Sequence, residues 1–174
     1  MLILLDGPDR VGKDTLSRGL LAHFSTEVFL LLHTIHIDTY TQAHYLHWYA
    51  YIFDLALKKE SSIILNRTHL SEAVFGAMYR HYDSACVFEL EQKILDMEEV
   101  FLILLVDRLD RLMEREDGQS IHKDPQQKQE EIDRFHAAFD RSQIPHKIKI
   151  DIQHLNEKQV LAKTLQFIKA QISS

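Results

Sequence analysis

The feature that most constrains this chain stands at its start: the apolar run Leu2-Ile3-Leu4-Leu5, then Asp6, then Gly7-Pro8-Asp9-Arg10-Val11-Gly12-Lys13-Asp14-Thr15, then a stretch of helical length. A short strand, a loop with glycines near both ends and a lysine at the mouth of a helix form the context of a phosphate-binding loop. The loop turns successive main-chain N–H groups inward, and Gly7 and Gly12 keep side chains out of the way. The helix behind adds positive potential at its N-terminus, and the Lys13 ammonium reaches the β- and γ-phosphates. A Ser or Thr usually follows the lysine and binds magnesium, whereas here Asp14 follows, with Thr15 next. A carboxylate also binds Mg²⁺, directly or through water. Asp14 and Thr15 are therefore the expected metal ligands, and ATP with Mg²⁺ the expected cofactors.

Apolar runs at Leu2–Leu5, Val28–Leu32, Ile63–Leu65, Val100–Val106 and Ile148–Ile152 read as buried strands. Stretches of helical length alternate with them: Lys13–Phe24, Gln42–Lys59, Glu89–Glu98, Arg108–Glu116, Gln126–Arg141 and Glu157–Gln171. That alternation predicts an α/β chain with a three-layer P-loop NTPase fold, its parallel sheet of roughly five strands in the order 2-3-1-4-5 and helices on both faces. The 174 residues, 45% of them hydrophobic, suit one domain over residues 1–174. A lid segment is expected at about 111–125, where Gly118, Gln119, Ser120 and Pro125 interrupt two helices.

With 20 basic and 26 acidic residues, the formal net charge of −6 argues against non-specific clamping of a nucleic acid or an anionic membrane. Cys86 is the only cysteine, which excludes an intramolecular disulfide, a thiolate zinc cage and a CxxC redox pair. Leu2–Leu5 is too short for a signal peptide or a membrane span. A cytoplasmic location is expected, the host cytoplasm for a phage-encoded chain. The absence of NKxD and of DxxG after the third strand disfavours a GTPase switch, and a strand-end Walker B acid of the AAA type is also lacking.

The loop DGPDRVGKDT resembles those of the thymidylate kinase family, which commonly carry an acidic and then a basic residue before the second glycine, here Asp9 and Arg10. The resemblance implies that Asp9 faces the acceptor sugar and that Arg10 neutralises the transferring phosphoryl group. Asp14 has a parallel in the GKD loops of some phage deoxynucleoside monophosphate kinases. After the third strand, Asn66-Arg67-Thr68-His69-Leu70-Ser71-Glu72, then Val74-Phe75-Gly76 and Tyr79-Arg80, is similar to the DR-x-HxSE-x-VYG segment of phage thymidylate kinase-like proteins, among them 5-hydroxymethyluracil DNA kinases. Arg67 then bridges acceptor and phosphoryl group, and Asn66 stands where that family has a carboxylate. The plainer reading of Arg67 is a surface arginine paired with Glu72. Arg108, Arg111, Arg115 and Lys123 fall on the lid of such kinases, where guanidinium groups stabilise phosphoryl charge and exclude water. For Arg108, pairing with Asp107, Asp110 or Glu114 is preferred.

The acceptor stays open at this point. No lysine or arginine occurs between Gly19 and Leu57, where the family grips the acceptor's monophosphate with an arginine. A deoxynucleoside monophosphate such as dTMP needs no general base, and its phosphate must be met by Arg67, Arg80, Arg10 or the histidines His33, His36, His44 and His47. A neutral hydroxyl, on a deoxynucleoside or on 5-hydroxymethyluracil in phage DNA, needs a carboxylate base; Asp38 is the candidate, with helix capping beside Thr39 as the plainer role. Tyr45 and Trp48 are expected to contact the acceptor base, though Tyr45, Tyr49 and Phe53 share the face of a helix that packs on a sheet. Lys13, Arg10, Arg67 and Asp38 are thus the expected catalytic residues. Gly7, Asp9, Gly12, Lys13, Asp14, Thr15, Arg111 and Arg115 are expected to bind the nucleotide, and Asp9, Arg67, Trp48, Tyr45 and Arg80 the acceptor. A non-catalytic nucleotide-binding module is the remaining alternative, and the family allows a homodimer.

Overall fold

In a computed structural model of the chain, residues 1–25, 29–35, 39–115 and 124–172 are described. Strands β1 (Leu2–Asp6), β2 (Phe29–His33), β3 (Ser62–Asn66), β4 (Val100–Val106) and β5 (His146–Asp151) form one sheet ordered β2-β3-β1-β4-β5. Every neighbouring pair is parallel, with Leu2 opposite both Ile63 and Val100. This is the α/β P-loop NTPase architecture and the strand order expected from the sequence. β1 and β4 are buried along their whole length, which is why they read as continuous apolar runs rather than alternating ones.

Alternate residues of these strands feed two cores. Leu2, Leu4, Leu65, Leu102 and Leu104 pack with Tyr49 and Phe53 of α2 (Gln42–Leu57), Val74 and Phe75 of α3 (His69–Tyr79), and Phe135 and Phe139 of α5 (Pro125–Arg141). Ile3, Leu5, Ile64, Phe101 and Ile103 face the other way, onto Leu16 and Leu20 of α1 (Lys13–His23), with Val160 and Ile168 of α6 (Glu157–Ile172). Leu112 of the short α4 (Leu109–Glu114) joins this second core. Tyr45, Tyr49 and Phe53 are buried together, as their four-residue spacing predicts.

Two segments differ from expectation. Residues His69–Tyr79, read from sequence only as a motif, form α3, because Thr68 caps its start by accepting the Leu70 N–H. In place of a helix over Glu89–Glu98, the chain winds into 3-10 turns over Ser84–Lys93. The Asp83 carboxylate starts those turns by accepting the Ala85 N–H. The buried Glu91 carboxylate then accepts from Ser142 Oγ and Gln143 N and meets His69 Nε2 at 2.7 Å, so long-range bonds fix this segment more than helix propensity does.

Candidate functional site

The loop between β1 and α1 takes the backbone turns that its two glycines predict. Gly7 has φ 140°, and a Cβ there would lie 2.3 Å from the Leu105 carbonyl oxygen, so only glycine fits. Gly12 has φ 92°, and no atom lies within 4 Å of where its Cβ would point, leaving open space over the start of α1. That start has no side-chain cap, and its first-turn N–H groups have no intrahelical partners. The Lys13 side chain curls into the loop, its Nζ 2.6 Å from the Gly7 oxygen and 2.8 Å from the Pro8 oxygen. Burial, and next the charge of Arg67, lower its pKa to about 8, against the pull of Asp9, Asp6 and Glu131.

Asp6 anchors the loop to α3. Its buried carboxylate accepts from the N–H groups of Gly7, Thr68 and Ser71 and from the hydroxyls of Thr68 and Ser71. It thereby places Arg67, whose φ of 64° is a left-handed conformation that a branched or long side chain rarely adopts. Arg67 Nη2 lies 2.7 Å from Asp9 Oδ1, so this guanidinium pairs with the loop and not with Glu72, correcting the plainer reading. Burial of Asp9 would raise its pKa, but Lys13, Arg67 and Lys128 together hold it below the ordinary value.

A second anchor escaped the sequence reading. Glu131 of α5 accepts the Asp9 N–H at 2.9 Å and pairs with Lys128 at 2.8 Å, both side chains only 1% exposed. Each partner lies far from the loop in sequence, and a lysine and a glutamate three apart on a helix ordinarily signal a solvated face.

Cavities flank the loop on two sides. One, of about 380 Å³, is lined by Arg10, Gly12, Thr15, Leu105, Arg115 and Asn156 among others. Arg115 reaches it by donating to the Arg10 oxygen at 3.3 Å and pairing with buried Asp107 at 3.1 Å. Arg111 also meets Asp107, at 3.6 Å, and donates to the Gln153 oxygen. Arg108 pairs with Asp110 on the surface, as preferred. Lys123 and most of the expected lid lie outside the described residues.

The other cavity, of about 250 Å³, is lined by Asp9, Thr34, Tyr45, Arg67, Glu72 and Arg80 among others. Arg80 Nη2 meets Glu72 Oε2 at 2.5 Å, and its guanidinium lies 4.5 Å over the Tyr45 ring. Burial raises the Glu72 pKa to about 7 in spite of Arg80. An adjoining apolar recess shares Thr34 and Tyr45 and adds Trp48, whose Nε1 donates to Thr34 Oγ1. Asp38 and His36 lie outside the described residues. Asp14 and Asn66 touch, Asn66 Nδ2 donating to Asp14 Oδ1 at 2.5 Å, with His33 Nδ1 3.2 Å from the same Asn66 nitrogen. Among the described residues no three His, Cys, Asp or Glu side chains gather to hold a metal ion, and no helix is long and apolar enough to cross a membrane.

Solved structures share this fold over nearly the whole chain. The YorR protein from Bacillus subtilis, crystallised with phosphorylated GDP, superposes with a TM-score of 0.79 at 14% identity, covering 100% of this chain and 99% of its own. Thymidylate kinase from Candida albicans gives a TM-score of 0.65 at 14% identity, covering 97% of this chain and 91% of its own. The fold is that of the thymidylate kinase-like P-loop kinases. A scan against protein-family models finds no match, and no curated protein matches in sequence. Within this fold, Arg10, Gly12 and Thr15 line one cavity and Asp9 the other, so one loop borders both.

Proposed function

We propose that the chain is an ATP-dependent nucleotide kinase that moves the γ-phosphoryl group onto a deoxynucleoside monophosphate. The observation that carries this reading is the pair of cavities meeting at one phosphate loop, Thr15 and Arg115 beside one and Asp9 and Arg67 beside the other. ATP takes the first cavity, its phosphates against the first-turn amides of α1. The acceptor takes the second. An acceptor oxygen attacks the γ-phosphorus, the bond to the β–γ bridging oxygen breaks and ADP leaves. Lys13, still largely protonated at neutral pH, together with Arg10 and Arg67 offsets the charge spread over the equatorial oxygens. The Asp14 carboxylate, exposed in the first turn of α1 beside Thr15, suits a cation there. Asp14 and Thr15 would hold magnesium, which supplies positive charge to the phosphate oxygens.

One observation favours a second reading, transfer to a neutral hydroxyl on a deoxynucleoside or on 5-hydroxymethyluracil in DNA. Glu72, with a pKa raised to about 7 by burial, lines the acceptor cavity and can take a proton from an attacking hydroxyl. Both arginines of that cavity already hold carboxylates, so a monophosphate has to displace Asp9 or Glu72 from them. ADP release with ATP and a panel of dTMP, thymidine, 5-hydroxymethyluracil DNA and a guanine nucleotide tests the assignment. Acceptor-dependent release with dTMP supports the first reading, and release only with the hydroxyl acceptors supports the second. Release without any acceptor, or binding without release, removes both.

A further inference from the structure

The peptide between Pro8 and Asp9 is held from both edges. Its oxygen accepts from Lys13 Nζ at 2.8 Å, and its N–H donates to Glu131 Oε1 at 2.9 Å. A trans peptide unit is planar with its oxygen and its N–H on opposite edges, so partners on both sides stop the plane from turning. The N–H of residue 9 is taken by α5 and is not offered to a phosphate. The same plane sets where the Asp9 side chain leaves the main chain, and its Oδ1 meets Arg67 Nη2 at 2.7 Å on the wall of the cavity proposed for the acceptor. Glu131 itself is buried, and Lys128 Nζ balances its charge at 2.8 Å. Two apolar residues of similar volume would pack α5 about as well, because a buried ion pair repays little of its desolvation. What they would lack is an oxygen aimed at the Asp9 N–H. One turn beyond Glu131, Phe135 packs edge-on against Phe75 with 5.6 Å between ring centroids, so the helix that holds Asp9 is braced on α3, which starts just after Arg67.

We propose that Glu131, charge-balanced by Lys128, is a positioning residue for the acceptor: it locks the Pro8–Asp9 peptide so that the Asp9 carboxylate is presented to Arg67 before an acceptor arrives. Groups held in place before binding spare the reaction the cost of ordering them. The role in transfer rests on the kinase reading, whereas the lock on Asp9 does not.

Two double variants separate positioning from packing. Lys128→Met, Glu131→Gln keeps a side-chain oxygen for the Asp9 amide, and Lys128→Met, Glu131→Met removes it. Both lack the buried charges and nearly conserve volume. The Asp9 carboxyl carbon is followed by NMR through its acid titration. Burial raises the Asp9 pKa while Lys13, Arg67 and Lys128 lower it, and Asp6 and Glu131 complete the charges around Lys13. Because both variants lose the charges of Lys128 and Glu131 alike, a difference between them reports where Asp9 stands against Arg67. The Met form is expected to titrate at higher pH than the Gln form, and its Asp9 amide to exchange at least about tenfold faster. With an acceptor found by ADP release, the Met form should lose about tenfold or more in kcat/KM for that acceptor relative to the Gln form, with the KM for ATP within about twofold. Should the Met form not fold, Lys128→Met, Glu131→Ala takes its place, its gap letting water reach the amide. Equal Asp9 titration in the two forms would overturn the proposal, as would a kinetic loss confined to ATP. A chain that releases no ADP with any acceptor loses the kinase reading, and titration and exchange then still decide the lock on Asp9.

Discussion

Lys13 and Glu72 are both charged groups drawn out of water, and burial pushes their pKa values in opposite directions. Lys13, 5% exposed, falls from 10.5 to about 8. Between those values the unfolded chain binds more protons than the folded one, so this group adds stability as pH rises through the window. Glu72 climbs from 4.5 to about 7, the folded chain binds more protons across that interval, and its contribution falls as pH rises from 4.5 to 7. Urea unfolding at a series of pH values checks both signs. The stability of wild type relative to Lys13→Met should increase between about pH 8 and 10, and relative to Glu72→Gln it should decrease between about pH 5 and 7. Lys13→Met should also lower turnover by at least about 10²-fold with the fold intact, since the proposed mechanism sets its ammonium against the phosphates. Full activity in that variant would remove Lys13 from the mechanism.

At the scale of elements, legibility followed the range of the interactions. The loop and the five strands could be read because their signals are local: Gly7 and Gly12 need positive φ, and the strands are short apolar runs. The helix α3 was hidden because its start is organised by Asp6, whose partners Thr68 and Ser71 lie more than 60 residues away. In the sequence Asp6 only follows the first apolar run, with nothing local to mark its distant partners. The anchor on α5 was hidden for the same reason, as Glu131 binds the Asp9 N–H across 122 residues. A buried lysine–glutamate pair is costly to make and more costly to break. Glu131→Ala leaves Lys128 charged and unpaired, and should lose about 3–5 kcal/mol in urea unfolding. Hydrogen exchange at the Asp9 amide should speed up in that variant even where the global fold persists. The double variant Lys128→Met, Glu131→Gln keeps an oxygen for that amide and no stranded charge, so it should recover most of the loss. A double variant as unstable as the single one would mean that the pair does more than hold the loop.

Over the whole molecule, the loop borders two cavities whose linings have no residue in common. The side proposed for the donor is framed by Arg115 and the residues leading into α6, the side proposed for the acceptor by α2, α3 and the end of β2. A change confined to one side should therefore alter one substrate's KM and spare the other's. Trp48 belongs to the recess on the acceptor side, and a base stacked on an aromatic side chain is worth about 1–3 kcal/mol, so Trp48→Ala should raise the acceptor KM by about 5- to 150-fold. The KM for ATP should stay within about twofold, because Trp48 borders only the acceptor side. Arg115→Ala should do the reverse, weakening ATP through the loss of a guanidinium held between Asp107 and the Arg10 carbonyl. Steady-state kinetics with both substrates varied, once an acceptor is known, separates the two effects. Arg115→Ala that weakened only the acceptor, or Trp48→Ala that weakened only ATP, would reverse the sides; equal effects on both substrates would mean that the compartments close together over the loop.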